Sequence, residues 1–362
     1  MALPVAGASL GRFRMAPRTR RKGALRHMGF TEYGEMEYGQ GALAQAALAA
    51  GLGGVECVCA VKVDGANFQA GVGPDGSFFV GSRRRALGPN DEFCGWQRVM
   101  QRYGAEGKIR AIAGRLGARE AIMYGELCGG LYRHPDVPRA EGAVRVQGRV
   151  DYSPDNEWVP FDLRADGRFV GPDELAGLCA WAGLPSQQIV FRGPLEECLR
   201  FDPDFQDTTG HALWGLPLIS GNAAEGVVVK PVRDVRLGGR RLVFKLKAPK
   251  FKERIRATKA ALAEAGAGLT PLEQRWAARL LEFACDARAW SALSKVGPEA
   301  GFAAVLREAV RDAEACFRAS PAGEAFRGEE GRADPKELRW GRLEAALSRA
   351  LAPCVRRALF GG

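Results

Sequence analysis

The stretch Cys57–Phe68, CVCAVKVDGANF, restricts the possible folds because it predicts a buried strand that stops abruptly. Apolar residues at alternating positions are typical of a strand, and Asp64-Gly65 is typical of a tight turn. Lys62 precedes that turn and is flanked by apolar residues. Burial disfavours the charged form of a lysine, and a neutral amine is a nucleophile. The alternative is a surface lysine that ends the strand and pairs with Asp64.

A hairpin is expected next. Residues 68–72 and 77–81 have strand character, and Gly-Pro-Asp-Gly at 73–76 is a strong turn signal between them. The second strand runs into three arginines at 83–85. Adjacent arginines usually form a solvated loop. A strand that pairs with the lysine strand would instead allow at least one of them to face the same pocket as Lys62.

Four later apolar strands carry charged residues. These residues are Glu126, Asp162, Glu225 with Lys230, and Lys245 with Lys247. The last two lysines are two residues apart and therefore lie on one face of their strand. Two lysines on one face of an apolar strand are costly unless they meet anions. Their alternative role is to protect an edge strand against aggregation.

The net charge of +10 is unevenly distributed along the 362 residues. The segment 1–31 contains no acid, and its cations are Arg12, Arg14, Arg18, Arg20, Arg21, Lys22 and Arg26. An Arg-rich segment of this kind resembles an organellar transit peptide. The alternative is a basic arm that contacts nucleic acid. The rest of the chain has an ordinary globular composition and enough length for two domains.

The cysteines and histidines point away from metal-centred folds. The nine cysteines are scattered and form no C-x-x-C pair, which argues against zinc and a disulfide framework and favours a reducing compartment. The three histidines show no metal-binding spacing. No apolar run approaches the roughly 20 residues that span a bilayer. We therefore expect a protein without membrane association.

Strand signals cease after Arg254. Thr-Pro-x-Glu at 270–273 and Asp-Pro-x-Glu at 334–337 each combine an N-cap, a proline and a capping-box acid, and they predict two helix starts. Apolar stripes with helical spacing predict a packed core for the remainder. Residues 319–334 are expected to be the least ordered connection. The sequence therefore predicts a helical domain over 255–362.

Taken in order, the motifs K-x-D-G, Y-G-E-L, F-D-L, E-G-V-V-V-K and K-L-K resemble those of the covalent nucleotidyltransferases. That superfamily includes DNA ligases, RNA ligases and mRNA-capping guanylyltransferases. Finer features are most similar to the RNA ligase 2 family, which includes mitochondrial RNA-editing ligases. They are D-G-A-N-F after Lys62, the block that ends in P-N-D-E-F-C-G-W, and A-P-K-F-K-E after the K-L-K.

The resemblance implies an α+β fold. An antiparallel-sheet, ATP-grasp-like nucleotidyltransferase domain would occupy residues 32–254, and an all-α domain would follow. DNA ligases and capping enzymes instead carry a β-barrel domain at this point. The strand signals needed for such a barrel are absent from the sequence after Arg254.

The resemblance also implies a chemistry that uses ATP and Mg²⁺. Lys62 would attack the α-phosphorus of ATP, form lysyl-AMP and release pyrophosphate. Lys245 and Lys247 would contact phosphate, and their positive field would favour the neutral amine of Lys62. Glu126 would bind a ribose hydroxyl, and Phe161 would stack on adenine.

The remaining site residues follow from the same resemblance. Catalytic roles at the metal, the lysine or the substrate would belong to Asp64, Asp162 and Glu225, with Glu225 as the metal ligand. The nucleotide or the RNA end would be held by Val61 through its main chain, Asn67, Lys230 and one arginine after the hairpin, which is Arg83 in an ungapped count.

Three positions depart from the pattern. Asp64 stands where many relatives in this branch have histidine, and Val61 stands where they often have glutamate. Glu225 and Lys230 are five residues apart, so strict alternation places them on opposite faces of a strand. A bulge or twist before Pro231 is therefore expected.

The sequence predicts an ATP-dependent RNA ligase that joins a 3′-OH to a 5′-phosphate in RNA repair or editing. Its expected partners are RNA and an RNA-processing complex, and its expected location is the mitochondrion. The alternatives are a capping guanylyltransferase, a DNA ligase and an inactive RNA-binding subunit. Every ATP-binding motif is expected within 32–254. The arginine-rich helices beyond would either grip RNA or form a solvated, salt-bridged face.

Overall fold

Two β-sheets form the centre of the structure, a computed structural model that describes residues 30–252 and 266–360. The segment 1–29 and the expected domain boundary at 254 lie outside these residues. The first sheet contains, in spatial order, β1 (Glu37–Tyr38), β13 (Phe244–Lys247), β10 (Gly226–Pro231), β2 (Glu56–Val61) and β9 (Ile189–Pro194). Its neighbouring strands are antiparallel except for the parallel pair β1–β13.

The second sheet is antiparallel throughout. It contains β5 (Ala86–Leu87), β4 (Phe78–Ser82), β3 (Ala66–Val72), β6 (Ala121–Leu131), β7 (Ser153–Ala165) and β8 (Arg168–Phe169). A separate ribbon pairs β11 (Arg236–Leu237) with β12 (Arg240–Arg241). The predicted hairpin is confirmed, because β3 and β4 pair across the turn at 73–76.

The helices that accompany the sheets are α1 (Ala42–Ala49), α2 (Trp96–Tyr103), α3 (Ala105–Leu116), α4 (Pro172–Ala182), α5 (Leu195–Cys198) and α6 (Thr209–Trp214). Single turns of 3₁₀-helix occur at Leu52–Gly54 and Pro249–Phe251. Among the described residues, none of the helices combines the length and the apolar character needed to cross a bilayer.

One face of the first sheet packs against α1 and α5. Cys57 and Cys59 of β2, Val227 and Val229 of β10, and Phe244 of β13 fill this core and are fully buried. Every second side chain of a strand points to the same face, which is why the alternating pattern in the sequence builds this core. Burying one valine in this way stabilises the fold by about 1.5–3 kcal/mol.

The turn after the lysine strand connects the two sheets. β2 ends at Val61 in the first sheet and β3 begins at Ala66 in the second, so residues 62–65 cross between them. Glycine is required at Gly65, because a Cβ there would lie 2.1 Å from the carbonyl oxygen of Leu127. Lys62 is therefore placed where the two sheets meet.

Residues 266–360 contain helices and turns without strands. The helices are α7 (Pro271–Leu280), α8 (Asp286–Val296), α9 (Gly301–Arg318), α10 (Pro321–Glu330) and α11 (Trp340–Phe360), with 3₁₀ turns at Leu281–Phe283 and Pro298–Ala300. The predicted capping box is present, because Thr270 and Glu273 bond to each other's main chain. The apolar stripes form one buried core. The predicted α+β fold with a helical C-terminal region is confirmed.

The helix start predicted at Asp334 is wrong. Residues 335–337 form a turn, and α11 begins only at Trp340. Glu273 of α7 accepts a hydrogen bond from the main-chain N–H of Arg339 at 3.0 Å. This contact ties the chain to the start of α7, and a helix that ran on from Asp334 could not keep it.

The segment 319–334, expected to be poorly ordered, contains α10. Ser320 caps this helix by accepting a hydrogen bond from Gly323 N at 3.2 Å, and Pro321 occupies the first turn. Ser-Pro before a helix is the same kind of start signal as the one at Thr270. The sequence thus carries a helix start at Ser320, and the expectation of a poorly ordered connection overlooked it.

The helical region packs against the second sheet. Arg84, two residues after β4, forms an ion pair of 3.0 Å with Glu308 of α9. The guanidinium of Arg145 lies 5.4 Å from the ring centre of Trp290 on α8. Helices α8 and α9 therefore face the sheets that carry Lys62 and the other predicted site residues, whereas α10 and α11 stand behind them.

Several arginines of the helical region are engaged in surface ion pairs. Arg318 pairs with Glu314 at 2.9 Å, and Arg357 pairs with Asp286 at 2.7 Å. At these positions the structure favours the salt-bridged face over a surface that follows RNA phosphates.

Candidate active site

Lys62 forms an ion pair with Glu225, which precedes β10. The distance from Lys62 Nζ to Glu225 Oε2 is 2.7 Å. Lys247 Nζ lies 3.0 Å from the other carboxylate oxygen of Glu225. Since β10 lies between β2 and β13, the three residues come together from neighbouring strands. Three motifs that are distant in the sequence therefore meet at one buried carboxylate.

The charge of this carboxylate is secured by its neighbours. Burial raises the pKa of Glu225, but the positive charges of Lys62 and Lys247 outweigh burial and lower the pKa to about 2. Glu225 is therefore ionised at neutral pH. An ionised acid at this point compensates two cations that would otherwise repel each other.

Asp64 is buried but pairs with a residue outside the predicted motifs. Arg149 holds its carboxylate in a two-point ion pair of 3.0 Å and 2.5 Å. The main-chain N–H of Asp64 donates to the hydroxyl of Tyr152 at 2.7 Å. Burial raises the pKa of Asp64, with the charge of Arg149 opposing that effect. The alternative of a surface pair between Lys62 and Asp64 is thus replaced by two separate buried pairs.

Both lysines of β13 line a cavity beside Lys62. β13 is flanked by β1 and β10, so its lysines belong to an interior strand and the edge-protection alternative fails. Lys245 Nζ lies 4.5 Å from the ring centre of Tyr38, a cation–π distance. Lys247 is buried. Lys245 and Lys247 lie on the same face of β13 because they are two residues apart in the strand.

The cavity has a volume of about 320 Å³. Asn67 of β3 and Glu126 of β6 are directly opposite each other in the second sheet, and both line it. Arg83 also lines it, whereas Arg84 turns to α9 and Arg85 pairs with Asp91 at 2.8 Å. The geometry therefore selects Arg83 among the three adjacent arginines.

Glu126 is set up to be neutral at neutral pH. Burial raises its pKa to about 8, and the nearby acids Glu225 and Asp64 add to that shift against the opposing charge of Lys62. A protonated carboxyl can donate as well as accept a hydrogen bond. Beside it, Asn67 Oδ1 is buried and has no hydrogen-bond partner among the described residues. Both groups suit a ligand that carries hydroxyls.

A narrower slot of about 40 Å³ adjoins the cavity at Lys62. It shares Lys62, Asn67 and Glu126 with the cavity, and its other walls are mainly apolar, with Phe161 and Val228 among them. Apolar walls favour a flat aromatic ring over a phosphate. Lys62 therefore stands between a slot suited to a base and a cavity suited to anions.

A β-bulge in β7 aims Phe161 into the slot. Asp162 pairs with Tyr124 and Pro160 pairs with Gly125, so Phe161 is the extra residue on this strand. A bulge re-aims the side chains around it. As a result, the adjacent residues Phe161 and Asp162 both contact Tyr33, one at its ring and the other at its hydroxyl, whereas strict alternation would place neighbours on opposite faces of the strand.

Asp162 lines neither the cavity nor the slot. Its carboxylate accepts a hydrogen bond from the hydroxyl of Tyr33 at 2.7 Å and pairs with Arg241 at 2.9 Å. Lys230 Nζ lies 3.8 Å away and donates to the carbonyl oxygen of Phe161. Burial raises the pKa of Asp162, but Lys230 and Arg241 outweigh it and lower the pKa. In this arrangement Asp162 positions Lys230, and its direct role in catalysis stays a prediction.

Lys230 lines the slot and Glu225 lines the cavity, although alternation predicted opposite faces. The irregularity that permits this lies at Gly226 and not before Pro231. Gly226 has φ +140°, and a Cβ there would lie 2.0 Å from the carbonyl oxygen of Leu246. Only glycine fits such a position, and the direction of the chain changes between Glu225 and Lys230.

The main chain of Val61 is already engaged. Its N–H donates to Gln188 O at 2.8 Å, and its carbonyl oxygen accepts from Gln187 Nε2 at 2.8 Å. Gln187 lines the slot, and its Oε1 is buried without a hydrogen-bond partner among the described residues. Because a carbonyl can only accept, the amide orientation is settled and Oε1 is left for a ligand. Gln187 was not predicted, because the residues around it in the sequence carry no local signal.

Helices α8 and α9 form the far wall of the cavity. Arg288, Ser291 and Lys295 of α8 and Asp312 of α9 line it. All four residues lie outside 32–254, the range in which every ATP-binding motif was expected. These residues belong to no motif of the sequence, and only the packing of the helices against the sheets brings them to the cavity.

The predicted metal ligand Glu225 does not form a metal site together with its neighbours. Both of its carboxylate oxygens are occupied by lysines. Within residues 30–252 and 266–360, no three His, Cys, Asp or Glu side chains group in a way that could hold a metal ion. Mg²⁺ is usually held by one or two carboxylates together with phosphates of the substrate. A metal here would therefore depend on phosphate oxygens.

Comparison with known proteins gives consistent matches. A family model described as RNA ligase matches residues 55–247. RNA-editing ligase 1 of Trypanosoma brucei brucei, a mitochondrial protein, is 29% identical over 238 residues, which cover 56% of this chain and 50% of that protein. The chain thus spans about half the length of this relative. RNA-editing ligase 2 of the same organism, also mitochondrial, is 28% identical over 328 residues, which cover 75% of this chain and 77% of that protein.

A solved structure of Naegleria gruberi RNA ligase with PPi aligns with a TM-score of 0.43 and 15% identity, over 60% of this chain and 56% of that chain. The family match is the stronger finding. It begins at Val55, just before β2, and ends at Lys247, the last residue of β13, so it includes Lys62 and every strand of both sheets except β1. The residues matched by the RNA ligase family make up more than half of this chain, and the chain therefore belongs to the RNA ligase family.

Proposed function

We propose that this protein is an ATP-dependent RNA ligase that joins the 3′-OH of one RNA end to the 5′-phosphate of another. The observation that carries the proposal is the position of Lys62 between the apolar slot and the cationic cavity. A nucleotide with its base in the slot and its phosphates in the cavity would present its α-phosphorus to Lys62 Nζ.

The first step adenylates the enzyme. Lys62 gives up a proton to solvent, its Nζ forms a bond to the α-phosphorus, and the bond from that phosphorus to the bridging oxygen breaks, which releases pyrophosphate. Lys245 and Lys247 supply a positive field that favours the neutral amine and stabilises the charge on the phosphates. The ion pair of 2.7 Å with Glu225 must open first, because Lys62 Nζ has to leave the carboxylate to reach the phosphorus.

Two further steps transfer the nucleotide and seal the RNA. An oxygen of the RNA 5′-phosphate attacks the AMP phosphorus, and the N–P bond breaks and restores the amine of Lys62. The RNA 3′-OH then attacks the phosphorus of that 5′-phosphate. A phosphodiester forms, and AMP leaves. Mg²⁺, carried with the phosphates, would supply additional charge neutralisation.

Gln187 supports ATP over GTP as the nucleotide. Its Oε1 at the slot, unpaired among the described residues, is a hydrogen-bond acceptor. The amino group of adenine can donate to it, whereas guanine presents a carbonyl oxygen at the equivalent ring position. Two acceptors would then face each other in a buried place, at a cost of about 1–3 kcal/mol. This argues against a capping guanylyltransferase, which uses GTP.

The decisive experiment is incubation of the protein with ATP or GTP labelled at the α-phosphate. We expect a covalent adduct with ATP alone, formed at Lys62. A protein that forms no adduct with either nucleotide would be an inactive RNA-binding subunit, and an adduct with GTP alone would identify a guanylyltransferase. Nicked duplexes with RNA or DNA on the 3′-OH side then distinguish an RNA ligase from a DNA ligase.

A mitochondrial role in RNA editing or repair is the best-supported context. Two relatives carry the name of mitochondrial RNA-editing ligases, and the residues up to 31 have the composition of a transit peptide. A fluorescent fusion of the whole chain should enter mitochondria, and a fusion that lacks residues 1–31 should not. Equal distribution of both fusions would contradict this location, and co-purification from the organelle would identify the expected RNA-processing complex.

A further inference from the structure

We propose that the helical C-terminal region forms part of the nucleotide site and supplies Arg288 and Lys295 to the β- and γ-phosphates of ATP. The same two cations would bind the pyrophosphate that leaves. This inference rests on the proposed adenylation of Lys62 and adds a task for the helices, which carry none of the family motifs.

The cations are presented by one face of α8. Arg288, Ser291 and Lys295 are spaced at i, i+3 and i+7, so they follow one another along the same side of the helix. All three line the cavity that also contains Lys62. The opposite side of α8, with Ala289 and Leu293, is buried in the core of the helical region. The face is thus fixed by packing and does not rotate freely.

Asp312 of α9 holds the two cations in place. It forms an ion pair with Lys295 and lies 3.7 Å from Arg288 Nη1. It also lies 4.0 Å from Arg84 of the catalytic sheets. Arg84 is the neighbour of Arg83, which lines the same cavity. The ionic contacts of Arg84 with Glu308 and Asp312 therefore help to set Arg288 and Lys295 opposite the catalytic lysines.

The position of these residues favours the terminal phosphates as their ligand. Arg288 and Lys295 line the cavity but not the slot, so they lie on the phosphate side of Lys62. The lining of the cavity has more cationic than acidic side chains, which suits a polyanion. In this arrangement α8 and α9 close the far side, and such a wall fits the end of a triphosphate better than a continuous RNA strand.

The chemistry gives these cations a purpose. When Lys62 bonds to the α-phosphorus, negative charge develops on the bridging oxygen and on the departing pyrophosphate. Fixed cations at that place stabilise the transition state more than the bound ATP. Because Arg288 is 3% exposed in its side chain and tied to Asp312, it needs little reorganisation at the moment of reaction.

The test separates the first chemical step from the last. Lys295→Met and Arg288→Gln remove one charge each and keep most of the side-chain volume. We expect either change to slow the formation of lysyl-AMP, and the reverse reaction of lysyl-AMP enzyme with pyrophosphate, by about tenfold, the scale for loss of one charge-assisted hydrogen bond. Sealing of a nick that already carries 5′-AMP should stay within about twofold of the unaltered protein, because that step involves no pyrophosphate.

The matched control is Arg307→Ala, which removes an exposed cation from α9 and does not touch the cavity. Adenylation should be unchanged in this variant. The inference fails if Lys295→Met leaves lysyl-AMP formation intact. It also fails if the variant loses sealing of pre-adenylated RNA while adenylation is normal, since the helices would then contact RNA.

A binding measurement keeps the test independent of activity. Calorimetric titration of pyrophosphate into the Lys62→Ala protein needs no turnover. Adding Lys295→Met should weaken pyrophosphate affinity by about tenfold, and adding Arg307→Ala should not. If the unaltered protein formed no lysyl-AMP, the proposed function would fall, while this titration would still decide whether α8 binds pyrophosphate. Equal affinities with and without Lys295→Met would overturn the inference.

Discussion

Glu225 and Lys62 form a partly buried ion pair of 2.7 Å, and the second carboxylate oxygen of Glu225 contacts Lys247 at 3.0 Å. One carboxylate therefore neutralises both the proposed nucleophile and a proposed phosphate-binding lysine. The same contact that organises the site has to be released when phosphates arrive and compete for the lysines. The stability of the protein and its chemistry are thus coupled at Glu225.

Removing Glu225 should destabilise the protein strongly. Glu225→Ala leaves the buried Lys247 and the partly buried Lys62 without their carboxylate, and breaking a buried pair typically costs about 3–5 kcal/mol. The pKa of Glu225 is lowered to about 2 in the folded state, below its ordinary value near 4.5. Its contribution is therefore complete above about pH 4.5 and is lost as the pH falls toward 2.

Urea unfolding of the unaltered protein and of Glu225→Ala, measured at several pH values, checks this prediction. The difference in unfolding free energy should be largest at neutral pH and should shrink in acid. A difference that stays constant down to about pH 2.5 would show that ionisation of Glu225 is not the cause.

Lys62 should be indispensable for the covalent adduct. Lys62→Ala removes the nucleophile, and Lys62→Arg keeps the positive charge but offers a guanidinium that stays protonated. Neither variant should form any labelled adduct with ATP. Lys108→Ala, which removes a half-buried lysine of α3 that does not line the cavity, serves as a control and should label normally. A labelled adduct in either Lys62 variant would show that Lys62 is not the nucleophile.

The two lysines of β13 should each be needed for adenylation. Lys245→Ala or Lys247→Ala should slow the formation of lysyl-AMP by about 100-fold or more, the scale for loss of one preorganised electrostatic contact. Loss of the cation–π contact between Lys245 and Tyr38 should by itself change thermal unfolding little, because the ring of Tyr38 is exposed. If both variants formed the labelled adduct at a near-normal rate, Lys245 and Lys247 would have a structural role only.

Glu126 should make the protein less stable as the pH rises. Its pKa is raised to about 8 in the folded state, so the folded protein retains a proton that the unfolded chain gives up near pH 4.5. This contribution is complete below about pH 4.5 and is lost progressively up to about pH 8. Glu126→Gln imitates the protonated form and should remove this loss.

Thermal unfolding between about pH 4.5 and pH 9 tests the role of Glu126. The gain in unfolding temperature on Glu126→Gln should grow as the pH rises toward the raised pKa. Labelling with ATP reports separately on the proposed contact of Glu126 with the ribose. A gain that was independent of pH would contradict the raised pKa.

Gln187 should contribute to the choice of nucleotide. Gln187→Leu removes the acceptor at the slot and should lower kcat/KM for ATP by about three- to tenfold, the value of one neutral hydrogen bond. The ratio of kcat/KM for ATP to that for GTP should fall as well, because the acceptor that would face the carbonyl oxygen of guanine is gone. Gln188→Leu changes the adjacent amide, which does not line the slot, and should leave the preference intact. An unchanged ratio in Gln187→Leu would exclude it as a reader of the base.

Much of the site could be predicted because it is encoded locally. Lys62 lies in a strand-to-turn stretch whose alternation and glycine are visible in one dimension, and Lys245 and Lys247 share a face because they are two residues apart. The capping box at Thr270 is a local signal of the same kind. The helix start predicted at Asp334 was wrong, which shows the limit of local signals. A distant acid, Glu273, accepts a hydrogen bond from the main chain of Arg339 and delays the helix.

Other features were not readable because they depend on contacts between distant segments. The direction of Asp162 follows from a one-residue bulge in β7 and from Arg241, which is 79 residues away in the chain. The choice of Arg83 over its two neighbours follows from where β4 ends relative to α9. Gln187 is a candidate only because Val61 occupies its amide nitrogen.

The amino-acid sequence by itself determined which strands form, where the lysine strand stops, and which charged side chains those strands carry, because hydrophobic alternation and glycine act over a few residues. Only the tertiary structure decided which charges neutralise one another and what closes the cavity. Glu225 lies 163 residues from Lys62, and α8 lies beyond every motif. Ion pairing and cavity walls depend on distances in space, and these exist only after the sheets and the helices have packed together.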